Sequence, residues 1–149
     1  MEIKFRLIKR DDLSELRAWF DDAELSRRLS FPTDEWFVYV TAGAAARCWV
    51  AFEADLIAMI QVDREDSELG YLDFAVRPDL RGRGVGTAIL SAFLSGPGQE
   101  FSVLERRIEP DNLASLACCR RCGFEVGSEV DRDGFIPAIY RQPSSGYQS

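Results

Sequence analysis

Between a strand-like apolar stretch and a helix-like apolar stretch the chain reads Val76-Arg77-Pro78-Asp79-Leu80-Arg81-Gly82-Arg83-Gly84-Val85-Gly86-Thr87. Glycines at alternate positions let the backbone curl tightly and remove the Cβ atoms that would keep a ligand away from the main chain. The N–H groups freed at the start of the following helix point outward, where the helix macrodipole favours an anion. Arg81 and Arg83 add charge-assisted donors beside this nest of amides. The loop therefore imposes a strand–turn–helix unit and implies a diphosphate site. The plain structural alternative is a tight turn that holds nothing.

Spacing separates the families that use such loops. A Walker A loop needs Lys-Ser/Thr after its last glycine, whereas Gly86 is followed by Thr87 and Ala88. A dinucleotide fingerprint needs Gly-x-Gly-x-x-Gly, and Thr87 stands where its third glycine belongs. The pattern present, Arg-Gly-x-Gly-x-Gly after a strand ending in Val-x-Pro, resembles the acetyl-CoA loop of the GNAT family of N-acetyltransferases. Asn112-Leu113-Ala114-Ser115 followed by Cys122-Gly123-Phe124 resembles the second motif of that family in residue type and spacing. Gly123 reads independently as the residue that ends a helix in the left-handed conformation. The resemblance runs strongly from about residue 68 to 140 and covers the N-terminal third by layout alone.

Composition narrows the rest. The chain has 149 residues, 46% hydrophobic and 29% charged, which suits one globular domain. The expected division is a single domain over 1–142 and a flexible tail over 143–149. A formal charge of −7, with basic residues clustered only pairwise as at Arg27-Arg28, Arg106-Arg107 and Arg120-Arg121, argues against nucleic-acid binding. No run is long enough to span a membrane, and the alternating Met1-Glu2-Ile3-Lys4-Phe5-Arg6 is unlike a signal peptide, so a cytoplasmic protein without membrane partners is expected. The chain contains no histidine, which removes histidine bases, histidine-activated nucleophiles and histidine metal ligands. Cys48, Cys118, Cys119 and Cys122 are badly spaced for zinc, so no metal site is expected.

The pattern predicts a strand over 2–8 and a short helix opened by a capping box at Asp12-Leu13-Ser14-Glu15. It then predicts a helical piece over 23–29 and a helix capped by Thr33 that bears Trp36, Phe37 and Val40. Strands follow over 47–53, 56–63 and 68–76, then a helix over 85–95 with Val85, Ile89, Leu90 and Phe93 on one stripe. A short strand over 106–109, the Asn112 helix, and a hairpin of 124–130 with 135–141 complete the order. This is an α/β (α+β) chain. The resemblance implies the acyl-CoA N-acyltransferase fold: a mixed, mostly antiparallel central sheet, helices on both faces, and two parallel strands that splay at the cofactor site.

The resemblance also assigns roles. Phe74, Ala75 and Val76 would offer backbone groups to the pantetheine arm of acetyl-CoA. Arg81, Gly82, Arg83, Gly84, Val85, Gly86 and Thr87 would hold the diphosphate, and Asn112, Ser115 and Cys119 would line the helix side. Asp73, a carboxylate in an otherwise apolar strand, is the candidate general base; the alternatives are an anchor for the substrate ammonium or a solvated side chain. Many family members carry a tyrosine seven residues after the motif asparagine as general acid for the leaving thiolate, and here that position is Cys119. Ser115, Cys119 and water all remain candidates for that role. Trp36 and Tyr71 are placed with Asp73 on the acceptor side. The implied activity is acetyl-CoA-dependent acetylation of a primary amine, either a small molecule or a protein N-terminus, by direct attack. The alternative is a catalytically silent acyl-CoA-binding sensor or scaffold. The resemblance also allows a homodimer.

Overall fold

The protein, seen in a computed structural model that describes residues 2–143, is built on one seven-stranded sheet. The tail expected over 143–149 lies, Pro143 apart, outside the described residues. In chain order the elements are β1 (Lys4–Leu7), α1 (Leu13–Trp19), α2 (Ala23–Arg28), α3 (Asp34–Thr41), β2 (Ala46–Phe52), β3 (Leu56–Arg64) and β4 (Leu69–Val76). There follow α4 (Val85–Ser95), β5 (Val103–Ile108), α5 (Leu113–Arg121), β6 (Glu125–Val126) and β7 (Ile136–Arg141). The strand order is β1-β2-β3-β4-β5-β7-β6, and every pairing is antiparallel except β4 with β5. No helix among the described residues is long and apolar enough to cross a membrane.

Alternation along the strands sends side chains to two cores. Trp49, Ile60, Val62, Leu72 and Leu104 meet α4 and α5 on one face, around a fully buried Phe93 whose ring stands edge-on to Trp49 at 5.2 Å. Cys48, Val50, Met59 and Ala75 meet α1, α2 and α3 on the other. The stripe expected on α4 is the buried one, with Val85, Ile89, Leu90 and Phe93 all inside. Thr33 caps α3 as expected, its hydroxyl accepting from the Trp36 N–H at 3.1 Å.

Three local expectations need correction. Asp12 does not cap α1. Its carboxylate turns back to accept from the Lys9 N–H at 2.7 Å and from both terminal nitrogens of Arg6 at 2.8 and 2.9 Å, which closes the preceding turn. β5 begins at Val103 rather than Arg106, because its first half pairs with both β4 and β7. β6 is two residues long, not seven. Opposite its end stands Pro137, whose carbonyl accepts from the Gly127 N–H at 2.8 Å but which has no N–H to return, so the ladder stops there.

The feature that positions the site is the short parallel ladder. β4 and β5 pair at Leu69 with Val103, Gly70 with Leu104 and Tyr71 with Glu105. Beyond that point β4 continues to Val76 on β3, and β5 continues to Ile108 on β7. The two strands therefore part in the middle of the sheet.

Candidate active site

The site is assembled around this gap. The Val103 N–H donates to the Glu68 carbonyl, which sets the even-numbered residues of β4 to face β5 with their backbone groups. Past the last pair, Phe74 and Val76 therefore turn N–H and C=O groups toward a cleft instead of a strand. The cleft has a volume of about 630 Å³, and Phe74, Ala75 and Val76 line one side of it.

The glycine loop closes one end. Gly82 and Gly84 both adopt φ +75, where any other residue is strained, and a Cβ on either would meet nothing within 4 Å. The space beside them is open. Gly84 caps α4 without a side chain, and the first helical bond runs from the Ala88 N–H to the Gly84 carbonyl. The N–H groups of Val85, Gly86 and Thr87 are left without intrahelical partners, facing the same cleft. Asn112 lines the cleft from the start of α5, its side-chain oxygen accepting from the Ser115 N–H at 3.3 Å, so its NH₂ stays available. Open glycine surface, an uncapped helix start and unpaired strand amides fit a diphosphate followed by an extended amide-bearing chain, the chemical outline of acetyl-CoA.

Three residues of the expected cofactor set sit otherwise. Arg81 lines the cleft, but its guanidinium grips both oxygens of Asp22, the cap of α2, and together with the Leu25 N–H holds that carboxyl down at about 2. Arg83 is exposed and is not among the residues lining the cleft. Cys119 is fully buried, with its sulfur 3.5 Å from Arg106 Nη1. The lining stripe of α5 runs through Ala114, Ser115, Ala117, Cys118 and Arg121, so Cys119 falls on the core side of the helix. Of the two side chains first considered for the leaving sulfur, Ser115 alone reaches the cleft.

A second cavity, about 580 Å³, opens on the other face of the sheet. Gln61, Asp63, Tyr71 and Asp73 form its floor, and Trp36, Arg107 and Phe135 are among its walls. Trp36 is anchored by its indole N–H, which donates to Gln61 Oε1 at 2.8 Å; Gln61 in turn donates to Asp63, which also accepts from the Tyr39 hydroxyl. Arg107 lies over the Tyr71 ring at 5.1 Å. The two cavities meet at Asp73 and Phe74, which line both. Asp73 is exposed to the water in the cleft and yet walled by protein on several sides. Desolvation lifts its carboxyl above the ordinary value, against the pull of the Arg106 charge and with a further push from Asp63. Among the described residues it accepts no hydrogen bond.

α2 lies across the cofactor side as a strap tied at both ends. Asp22 holds Arg81 at its N-terminus; at its C-terminus Arg28 meets Glu109 at 2.8 Å and Asp111 at 2.9 Å, and Arg27 reaches Asp111 at 3.4 Å. Sequence reasoning did not find these ties, nor Arg106, a buried cation on β5 that lines the same cleft.

Fold, loop and paired cavities define an N-acetyltransferase. Residues 13–124 match the Acetyltransferase (GNAT) family, and the chain belongs to that family, whose members use acetyl-CoA. An uncharacterized N-acetyltransferase of Bacillus subtilis, YfmK, is 30% identical over 144 residues, covering 93% of this chain and 96% of the relative. Among solved structures, the aminoglycoside acetyltransferase AAC(6')-Ib in complex with coenzyme A and kanamycin superposes with a TM-score of 0.77 at 20% identity, covering 95% of each chain. A spermidine N-acetyltransferase chimera from Vibrio cholerae superposes with a TM-score of 0.72 at 15% identity, covering 93% of each chain.

Proposed function

We propose that this enzyme acetylates the primary amine of a small cationic molecule, with Asp73 as its base. The observation that carries this reading is that the acceptor cavity and the cofactor cleft meet through the gap in the sheet at Asp73 and Phe74. A free alkylamine has a pKa of roughly 10, so it arrives as an ammonium and must lose a proton before it can attack. Asp63, Asp73 and Glu105 attract it; of the two cations of the wall, Arg28 is already engaged by Glu24, Glu109 and Asp111, and Arg107 lies 3.7 Å from Glu105. Trp36, Tyr71 and Phe135 supply apolar faces for the body of the acceptor.

Acetyl-CoA, when bound, supplies the thioester that is attacked. The Val85, Gly86 and Thr87 N–H groups would hold its diphosphate, the Phe74 and Val76 backbone groups and the Asn112 amide would align its arm, and a β4 N–H facing the cleft would polarise the thioester carbonyl. Asp73 takes the amine proton, its raised pKa bringing it nearer to neutrality. Ser115, on the first turn of α5, is assigned the hydrogen bond to sulfur. AAC(6')-Ib is an aminoglycoside acetyltransferase seen in complex with kanamycin and the chimera is a spermidine N-acetyltransferase, which supports the small-amine class over a protein N-terminus. Four free cysteines suit the reducing cytoplasm.

The test is thiol release from acetyl-CoA against polyamines, aminoglycosides and arylalkylamines, with peptides bearing free N-termini as comparison. Faster turnover of the cationic small amines supports the assignment, and faster turnover of the peptides overturns it.

A further inference from the structure

Arg106 has no role in the fold that explains its charge. It is the first β5 residue beyond the last β4–β5 pair, so it stands at the point where the strands part. Its neighbours on the same face of β5 are Leu104 and Ile108, both buried in the core. The residue is 7% exposed, and among the described residues its Nε has no hydrogen-bond partner and no carboxylate lies in salt-bridge range. Its guanidinium lies 4.9 Å from the centroid of the Phe74 ring, and its one hydrogen-bond acceptor is the Cys119 sulfur. An apolar residue would fill this place more cheaply, because a buried charge without a partner is costly. The same side chain lines the cofactor cleft.

We propose that Arg106 is the counter-charge for the sulfur that leaves acetyl-CoA. This rests on the acetyl-transfer reading. The ammonium proton first passes through Asp73 to solvent. In the step, the free amine nitrogen forms a bond to the acetyl carbon and the second proton that it must lose passes to the re-ionised Asp73. The carbon–sulfur bond breaks and its electron pair stays on sulfur. The thiolate leaves beside the Arg106 cation, with Ser115 donating a hydrogen bond, and takes a proton from solvent on release. Asp73 and Arg106 stand on opposite faces of the sheet at the same gap, negative on the acceptor side and positive on the cofactor side. Their field drives electrons from the acceptor side toward the sulfur. The titratable and charged groups around Arg106 are Asp73 on β4 and Cys118, Cys119 and Arg121 on α5; β7 presents Ala138 opposite it.

The experiment titrates the thiol of bound coenzyme A by the ultraviolet absorbance of its thiolate, beside a calorimetric titration with acetyl-CoA. A free thiol has a pKa of about 8.5, and an opposite charge at contact lowers such a value by about 1–3 units. In wild type the bound thiol should titrate at least about one unit below free coenzyme A. Arg106→Lys should keep most of that shift. Arg106→Leu should abolish it while leaving acetyl-CoA affinity near wild type. A wild-type complex whose thiol titrates at or above the free value overturns the proposal without any variant. Failure of wild type to bind acetyl-CoA would instead overturn the acetyl-transfer reading itself.

Discussion

Replacing Gly84 by alanine separates strain from ligand binding. Gly84 sits at φ +75, a conformation that costs an L-residue about 1–2 kcal/mol. The new methyl group would meet nothing within 4 Å in the free protein, so strain is the whole cost to the fold. For a chain of 149 residues each kcal/mol lowers the melting temperature by about 2–4 °C, giving a fall of about 2–8 °C. Strain is present with and without ligand and cancels from the affinity. The methyl group, however, occupies the space through which a diphosphate reaches the Val85 and Gly86 N–H groups. Losing one or two charge-assisted hydrogen bonds, about 3 kcal/mol together, weakens acetyl-CoA binding about 100-fold. Gly123→Ala is the control, since Gly123 has φ +92, lies at the end of α5 outside the cleft, and would give ordinary contact with Tyr140 at 3.6 Å. Calorimetry with acetyl-CoA and thermal melting of both variants give the comparison. If Gly84→Ala melts as low as Gly123→Ala and still binds acetyl-CoA like wild type, the start of α4 is not the diphosphate site.

Asp73→Asn should lower kcat about 100-fold or more while calorimetry shows acetyl-CoA affinity unchanged. Because the base must be ionised, kcat should fall as pH drops through the Asp73 pKa; removing the Arg106 charge, which favours the carboxylate, should move that limb to higher pH in a pH–rate profile. Asp12→Ala removes a buried carboxylate with three hydrogen bonds and should cost about 2–3 kcal/mol in urea unfolding at pH 7. Burial pushes the Asp12 carboxyl up, but the Arg6 and Lys9 hydrogen bonds outweigh it and leave it below its ordinary value. Its contribution is therefore complete above the unfolded pKa of about 3.9 and disappears as pH falls through the lower folded value, so wild type and variant should converge in acid. Arg28→Ala unties the C-terminal end of α2 and should speed acetyl-CoA release in a stopped-flow displacement, with a stability change below about 1 kcal/mol because its partners are largely exposed.

The elements read most accurately from sequence are those whose causes are local. Val85 to Ser95 was bounded by glycines on both sides and carried a clear apolar stripe, and α4 has those limits. Asn112 was legible as a cap because the cap bond spans three residues. What stayed hidden depended on partners far along the chain. Arg81 lines the cleft as expected, but nothing near it in sequence announces Asp22, its ion-pair partner 59 residues away. β6 stops where Pro137 arrives from the opposite strand, a pairing that neither segment declares alone. Counting seven residues from Asn112 led to Cys119, but the helix turns that residue into the core and presents Ser115 and Cys118 instead. Arg106 could have been found. Leu104, Arg106 and Ile108 alternate on one face of β5, and a lone cation between two core residues signals a buried charge; in the sequence it was counted only as half of the basic pair Arg106-Arg107.

The gap between β4 and β5 places an edge in the interior of the sheet. Strand edges invite pairing with another chain, and proteins ordinarily confine them to the margins, as β1 and β6 are here. A ligand whose extended arm alternates amide donors and acceptors behaves as a missing strand when it lies in such a gap. The empty enzyme therefore exposes one adhesive surface that the loaded enzyme does not. The enzyme's resistance to aggregation and proteolysis should rise with acetyl-CoA concentration, because ligand binding depletes the free form by mass action.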